Sequence, residues 1–238
     1  MLRNLKEDYL SSLLFRRLSK CPHRTVQFVR TAAEVIVFGS TAAGLHRPDS
    51  DLDVLCVGIQ NARFKNQSLD LVCLSQPIAR SSAWLHSELA YHVVRYGVWL
   101  TGTPWSYELS AGLSAVRRKE RRLRSFLSHL PEAWEGLDEA FKVKYAMKLR
   151  RETQRFLLLQ RGLAIPPTLV LDDIWRHSTA TRSPVLGCLT ARISDSGGVM
   201  AEGLFARMEQ PSSISESTPD PLVDRLEFRE IERALQGP

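Results

Sequence analysis

The sequence predicts an α+β fold in which a strand-containing part is followed by a helical part. Short apolar runs rich in β-branched residues, bounded by turn formers, lie between residues 34 and 101. Longer stretches with apolar residues at helical spacing precede them and dominate the chain after residue 110. We therefore expect a first domain over residues 1–110, a helical domain over residues 111–183, and a loosely ordered extension over residues 184–238.

Two helices are predicted before the first strand. Leucines recur at near-helical spacing over residues 2–19, with charges between them, and Cys21-Pro22 ends this helix because proline disfavours the helical conformation of its predecessor. A second, short helix is predicted from Thr25 to Ala33.

The apolar runs predict four strands and one long helix in the rest of the first domain. The strands are expected at Val35–Phe38, Val54–Val57, Leu69–Leu74 and Val98–Leu100. The polar segment from Gln60 to Ser68 is predicted to link the second strand to the third. One helix is expected between Pro77 and Gly97.

The later part of the chain is predicted to be helical up to about residue 183. Helices are expected over residues 112–130, 138–161 and 169–177, separated by Pro131 and by Arg161-Gly162 with the prolines after it. The extension is rich in glycine, serine and proline, and only a final helix from Leu222 to Leu235 is predicted in it.

Composition narrows the class of protein. Among the 238 residues, 44% are hydrophobic and 24% charged, as in globular domains, and no apolar run reaches the ~18–20 residues that cross a bilayer. The N-terminal stretch carries acids where a signal peptide needs an apolar core, so we expect a cytoplasmic protein without a membrane partner. The four cysteines form no metal-binding pattern, which predicts reduced structural thiols.

The net charge of +6 is concentrated in the middle of the chain. Residues 111–165 carry 13 basic and 6 acidic side chains, including the run Arg117-Arg118-Lys119-Glu120-Arg121-Arg122. Such a region could attract a polyanion, or it could be the solvated face of a helix.

Asp51 and Asp53 form an unusual pair at the start of the second predicted strand. Residues two apart on an extended chain project from the same face, so the two carboxylates are expected side by side. Folding gains nothing from this repulsion, whereas hard divalent cations bind oxygen ligands of this kind. Asp70 interrupts the third apolar strand, where a carboxylate is disfavoured unless something pairs with it.

A glycine and a serine precede this pair at the end of the first strand. Gly39 lets the backbone approach a ligand closely, and the Ser40 hydroxyl and the N–H groups of the turn suit phosphate oxygens. The full pattern is Gly39-Ser40-x3-Gly44-x5-Ser50-Asp51-x-Asp53, followed by Asp70 in a later strand.

This pattern resembles the signature of the polymerase-beta-like nucleotidyltransferases, in particular the minimal and the aminoglycoside nucleotidyltransferases. The resemblance covers about residues 30–105, and Ala42 and Ala43 stand where those proteins often have polar or basic residues. It implies a mixed sheet flanked by helices in a catalytic first domain. It also implies that Gly39 and Ser40 contact the nucleotide phosphates, while Asp51, Asp53 and Asp70 are catalytic residues that hold two Mg²⁺ ions. Ser50 is a further candidate for nucleotide binding, and its alternative role is to hydrogen-bond or cap the turn that carries the aspartates.

The activity that this resemblance implies is transfer of a nucleoside monophosphate, with ATP the expected donor, to a hydroxyl group with release of pyrophosphate. The acceptor is left open among a protein, an aminoglycoside-like small molecule and an RNA. Whether the protein forms a homodimer is also left open. The alternative hypothesis is a catalytically silent module that binds nucleotide or acts as an antitoxin-like regulator.

Overall fold

A computed structural model describes residues 2–47, 50–58, 60–105, 112–128 and 136–195. The chain divides into two compact units, Met1–Ser110 and Ala111–Pro238. Within the described ranges, every helix is too short or too polar to cross a membrane.

The first unit is built on a mixed five-stranded sheet. Its strands are β1 (Glu34–Phe38), β2 (Leu52–Val57), β3 (Ala62–Lys65), β4 (Leu69–Leu74) and β5 (Val98–Thr101). They lie in the order β3-β4-β2-β1-β5; β2 and β4 run parallel, and the other neighbouring pairs are antiparallel. This confirms the predicted α+β class.

Both faces of the sheet are covered, so its central strands are apolar on both sides. Leu10, Leu14 and Leu18 of α1 belong to the core on one face, together with alternate residues of β1, β2 and β4. Val93 of α6 belongs to the core on the other face. The helices of this unit are α1 (Leu2–Leu18), α2 (His23–Thr31), α3 (Gly39–Ala42), α4 (Gln76–Ala79), α5 (Ser82–Leu85) and α6 (Glu88–Tyr96).

Cysteines lie inside this sheet as unpaired thiols. Cys56 and Cys73 face each other in the register of β2 and β4, and both are buried. None of the four cysteines forms a disulfide bond.

Strand β3 was not predicted, because its sequence is polar. Ala62 and Phe64 pack on the core, while Arg63 and Lys65 alternate with them on an edge strand. Charged residues are tolerated there because an edge strand is covered on one side only, and they protect it from pairing with other chains.

The prediction of a single helix between Pro77 and Gly97 is wrong, because this segment forms the three helices α4, α5 and α6. The Ser81 hydroxyl accepts a hydrogen bond from the Trp84 N–H, and the Ser87 hydroxyl accepts one from the Ala90 N–H. Each serine therefore caps a new helix and interrupts the previous one.

The second unit contains four described helices: α7 (Leu113–Ser128), α8 (Glu139–Gln160), α9 (Thr168–His177) and α10 (Thr179–Asp195). The prediction that the chain loosens after residue 183 is wrong for residues 184–195, which continue α10 through Pro184. Val185 and Leu189 are fully buried, so packing outweighs the poor helical propensity of proline. The final helix predicted from Leu222 to Leu235 lies outside the described residues.

A buried charge network joins α8 to α9. The Asp172 carboxylate is fully buried and accepts hydrogen bonds from Arg150 Nη2 at 2.6 Å and from Arg151 Nε at 2.7 Å. The Arg150 side chain is only 1% exposed. Removal of the carboxylate would leave a buried guanidinium without its counter-charge, which is far costlier than loss of an exposed pair.

We expect Asp172→Asn to lower the free energy of unfolding by about 3–5 kcal/mol, because Arg150 would remain buried and charged. Asp173→Asn is the matched control, since the neighbouring Asp173 is 26% exposed and pairs only with His177 among the ion pairs of the described region. Urea unfolding followed by circular dichroism measures both variants. Equal effects of the two substitutions would contradict this role of Asp172.

Candidate active site

The parallel pairing of β2 with β4 brings two of the predicted aspartates together. Asp53 is the register partner of Asp70. Asp51 lies two residues before Asp53 on the extended chain that leads into β2, so its side chain projects from the same face. Carboxylate oxygens of Asp51, Asp53 and Asp70 lie within 4.8 Å of one another. The structure thus gathers the three carboxylates that the sequence singled out.

Asp53 carries most of the electrostatic cost of this cluster. Burial raises the pKa of its carboxyl group from 3.8 to about 7, with further contributions from the negative charges of Asp51 and Asp70. A carboxylate with so little compensation is one that a bound cation would favour strongly.

Asp70 is in the opposite situation, because two cations of β3 reach it. Arg63 donates two hydrogen bonds to its carboxylate, from Nε at 3.1 Å and from Nη2 at 2.8 Å. Lys65 Nζ lies 2.6 Å from Asp70 Oδ2 and 3.4 Å from Asp51 Oδ2. The hydrogen bond from Arg63 is the main cause that lowers the pKa of Asp70. In turn, the hydrogen bond that each cation donates to Asp70 raises the pKa of Arg63 and the pKa of Lys65.

Arg63 and Lys65 are site residues that were not predicted from the sequence. They lie in the segment interpreted as a link, and their importance depends on the antiparallel pairing of β3 with β4, in which Lys65 faces Asp70. The available signal was their alternation with Ala62 and Phe64, which is typical of a half-buried strand.

Gly39 lies directly against the acidic cluster. Gly39 directly follows Phe38, the last residue of β1, and Phe38 pairs with Asp53 in the sheet. Gly39 adopts a φ of +72°, and a Cβ atom there would lie 2.3 Å from Asp53 Oδ2. Only glycine fits this position, because it tolerates positive φ and has no side chain to collide with the carboxylate.

Ser40 follows Gly39 in the short helix α3 and is half-buried. The backbone N–H groups of a tight turn suit an anionic group when a cation is also present.

The observed contacts of Ser50 belong to the turn before Asp51. Its hydroxyl accepts a hydrogen bond from the Arg47 N–H at 2.9 Å, and its own N–H donates to the Arg47 carbonyl at 3.0 Å. Arg17 Nη2 also donates to the Ser50 carbonyl, at 3.4 Å. Ser50 therefore shapes the turn that presents Asp51, and its contact with nucleotide stays a prediction.

Two tryptophans near the end of the first unit have structural partners. Trp99 Nε1 donates to Glu34 Oε2 at 3.4 Å, and Trp105 Nε1 donates to the same oxygen at 2.7 Å. Their rings pack edge to face. These contacts support interior packing rather than stacking on a nucleotide base.

The donor set fits a hard divalent cation. Its three carboxylates offer oxygen ligands, which Mg²⁺ prefers, and the positive charges of Lys65 and Arg63 offset only part of the cost of charging Asp53. A site for one metal ion needs aspartate, glutamate, histidine or cysteine side chains whose ligand atoms lie close together. In the described part of the chain, Asp51, Asp53 and Asp70 meet this condition.

Comparison with protein families agrees with this geometry. Residues 22–83 match the family model described as a nucleotidyltransferase domain. The match includes Gly39, Ser40 and the three aspartates, and it implies a nucleotide substrate. No curated protein is significantly similar to the chain. Residues 22–83 are therefore similar to a nucleotidyltransferase domain, in agreement with the resemblance to the polymerase-beta-like nucleotidyltransferases that the sequence pattern predicted.

Proposed function

We propose that the protein transfers a nucleoside monophosphate, with AMP from ATP as the first expectation, to a hydroxyl group and releases pyrophosphate. The observation that carries this proposal is the crowding of three carboxylates directly against the Gly39 backbone. Such an arrangement is costly unless cations and an anionic ligand share the site.

Gly39 and Ser40 are proposed to bind the phosphates of the donor. The lack of a side chain at Gly39 leaves the backbone accessible beside Asp53, and the Ser40 hydroxyl can donate a hydrogen bond to a phosphate oxygen. Ser50 is proposed to assist through the turn that it stabilises before Asp51.

Asp51, Asp53 and Asp70 are proposed to hold two Mg²⁺ ions. When bound, the ions would supply positive charge to both the attacking and the leaving oxygen. The acceptor hydroxyl oxygen forms a bond to the α-phosphorus, the bond from that phosphorus to the pyrophosphate oxygen breaks so that pyrophosphate leaves, and the hydroxyl proton passes to water. Because Arg63 and Lys65 lower the pKa of Asp70, its carboxylate suits ligand binding better than proton abstraction.

The helical unit provides an observation about the acceptor. Five arginines of α7 are exposed: Arg117, Arg118, Arg121, Arg122 and Arg124. Lys119, by contrast, is buried and pairs with Glu152 at 3.1 Å. Exposed cations at this density attract polyanions and repel polycations. Among the three acceptor classes, this observation favours RNA over an aminoglycoside-like amine and leaves a protein hydroxyl open.

On the same surface, two cationic side chains lie close to the aromatic ring of Phe126. The Arg122 guanidinium lies 5.7 Å and Lys148 Nζ 4.8 Å from the centre of the Phe126 ring. These contacts place basic groups of α7 and α8 on one surface, where they can contact successive phosphates of a nucleic acid.

The second candidate function is a silent nucleotide-binding or regulatory module of the same fold. The presence of all three aspartates, Asp51, Asp53 and Asp70, counts against it, because a module that no longer catalyses transfer would be free to lose them. Product formation separates the two candidates.

We expect the protein to incorporate label from one or more α-labelled nucleoside triphosphates, in the presence of Mg²⁺, into RNA, protein or small molecules of a lysate. The double variant Asp51→Asn/Asp53→Asn should lose about 10³-fold or more of this activity, because two metal ligands are removed. Asp8→Asn, an exposed change on α1, is the control and should retain wild-type activity. Equal rates for wild type and the double variant with every donor and acceptor class would exclude the transferase.

A second prediction compares two glycines. Gly39→Ala should abolish most of the activity and destabilise the fold, because the new Cβ atom would collide with Asp53 Oδ2. Gly44→Ala is the matched control: Gly44 has a φ of +75°, and a Cβ atom there would meet nothing within 4 Å. Its cost is the backbone strain of about 1 kcal/mol alone.

Activity assays and thermal unfolding of both glycine variants measure the difference. Equal losses of activity in Gly39→Ala and Gly44→Ala would show that backbone strain, and not the contact with Asp53, explains the glycine at position 39.

A further inference from the structure

Strand β3 delivers two positive charges to the acidic cluster from the edge of the sheet. Its residues alternate, so Ala62 and Phe64 pack on the core on one face while Arg63 and Lys65 project to the other. The antiparallel register places Lys65 opposite Asp70. The position of these two cations beside Asp70 therefore follows from the pairing of β3 with β4.

Arg63 holds Asp70 in one orientation. Its Nε and Nη2 atoms contact the two different carboxylate oxygens, and the Asp70 side chain is only 7% exposed. A paired donor of this kind, formed by the rigid guanidinium plane, fixes the plane of the carboxylate. Beside its bond to Arg63, each oxygen has a second lone pair, and the one on Oδ2 accepts a hydrogen bond from Lys65 Nζ at 2.6 Å.

Lys65 makes a different kind of contact, because it bridges two carboxylates of the cluster. Its ammonium group lies 2.6 Å from Asp70 Oδ2 and 3.4 Å from Asp51 Oδ2. The same two side chains belong to the group of three whose oxygens lie within 4.8 Å of one another. The ammonium group thus lies where a cation shared by Asp51 and Asp70 would bind.

A divalent ion on these oxygens and the bridging ammonium group exclude each other. Mg²⁺ binds carboxylate oxygens at about 2.1 Å, so an ion on Asp70 Oδ2 would be close to the Lys65 ammonium at its observed position, and the like charges would repel. The Lys65 side chain is 56% exposed and has a flexible four-carbon stem, so it can move away.

We propose that Lys65 is an internal counter-ion that competes with a divalent cation for Asp51 and Asp70. This inference rests on the proposed function, because it assumes that the cluster binds metal. It adds that the metal affinity of the nucleotide-free protein is limited by a side chain of the chain itself. Bound phosphate would offer the displaced ammonium group a new partner, so nucleotide and metal should each strengthen binding of the other.

The test is Mn²⁺ binding to the full-length, nucleotide-free protein at pH 7.5, measured by electron paramagnetic resonance of the free ion. Lys65→Met should bind Mn²⁺ about 10-fold more tightly than wild type, because a competing charge is removed. Lys65→Arg should stay close to wild type, since it keeps the charge. Lys6→Met, a change of an exposed lysine on α1, controls for the loss of one positive charge.

The outcomes separate this inference from the proposed function. Wild-type affinity or weaker binding in Lys65→Met, with binding abolished in Asp51→Asn/Asp53→Asn, overturns the competition and leaves the metal site intact. An absence of Mn²⁺ binding in wild type, Lys65→Met and Lys65→Arg overturns both. Unfolding midpoints of the variants verify that each one is folded at the temperature of the titration.

Discussion

The parallel pairing of β2 with β4 is the constraint on which the candidate site depends. Its register places Asp53 opposite Asp70, and the extended chain before β2 adds Asp51 on the same face. The antiparallel partner β1 ends beside Asp53, so the chain must turn there through a residue without a side chain, which is Gly39. A one-residue slip of β2 would turn the aspartates to the opposite face of the sheet. The apolar residues of both cores prevent such a slip.

The three carboxylates differ in how far neighbouring positive charges compensate their negative charge. Asp70 is held and neutralised by Arg63 and Lys65, whereas Asp53 has a pKa of about 7 because burial and two neighbouring carboxylates oppose its charge. Folding therefore tolerates one strongly unfavourable group. A bound divalent cation would relieve that cost, so the cluster is better explained by ligand binding than by stability.

The sequence predicted the parts of this molecule that depend on local pattern. The central strands, α1 and the helices α7 to α9 follow from apolar periodicity, and the candidate residues follow from spacing along the chain. Strand β3 escaped prediction because Arg63 and Lys65 are poor strand formers whose edge position depends on tertiary pairing. The breaks before α5 and α6 depend on serine side chains that compete with the helix backbone, and α10 depends on burial of Val185 and Leu189.

The central claim is that Asp53 carries an electrostatic cost that a cation removes. The folded-state pKa of Asp53, about 7, lies above the ordinary aspartate value of 3.8. The folded protein therefore binds more protons between these values, and Asp53 makes it less stable as the pH rises from about 4 to 7. The decisive measurement is the unfolding midpoint of the metal-free protein against pH, for wild type and Asp53→Asn. The stabilisation by Asp53→Asn should grow across that window, and Mg²⁺ at pH 8 should stabilise wild type more than the variant. A difference independent of pH, with no Mg²⁺ effect on wild type, would contradict the account.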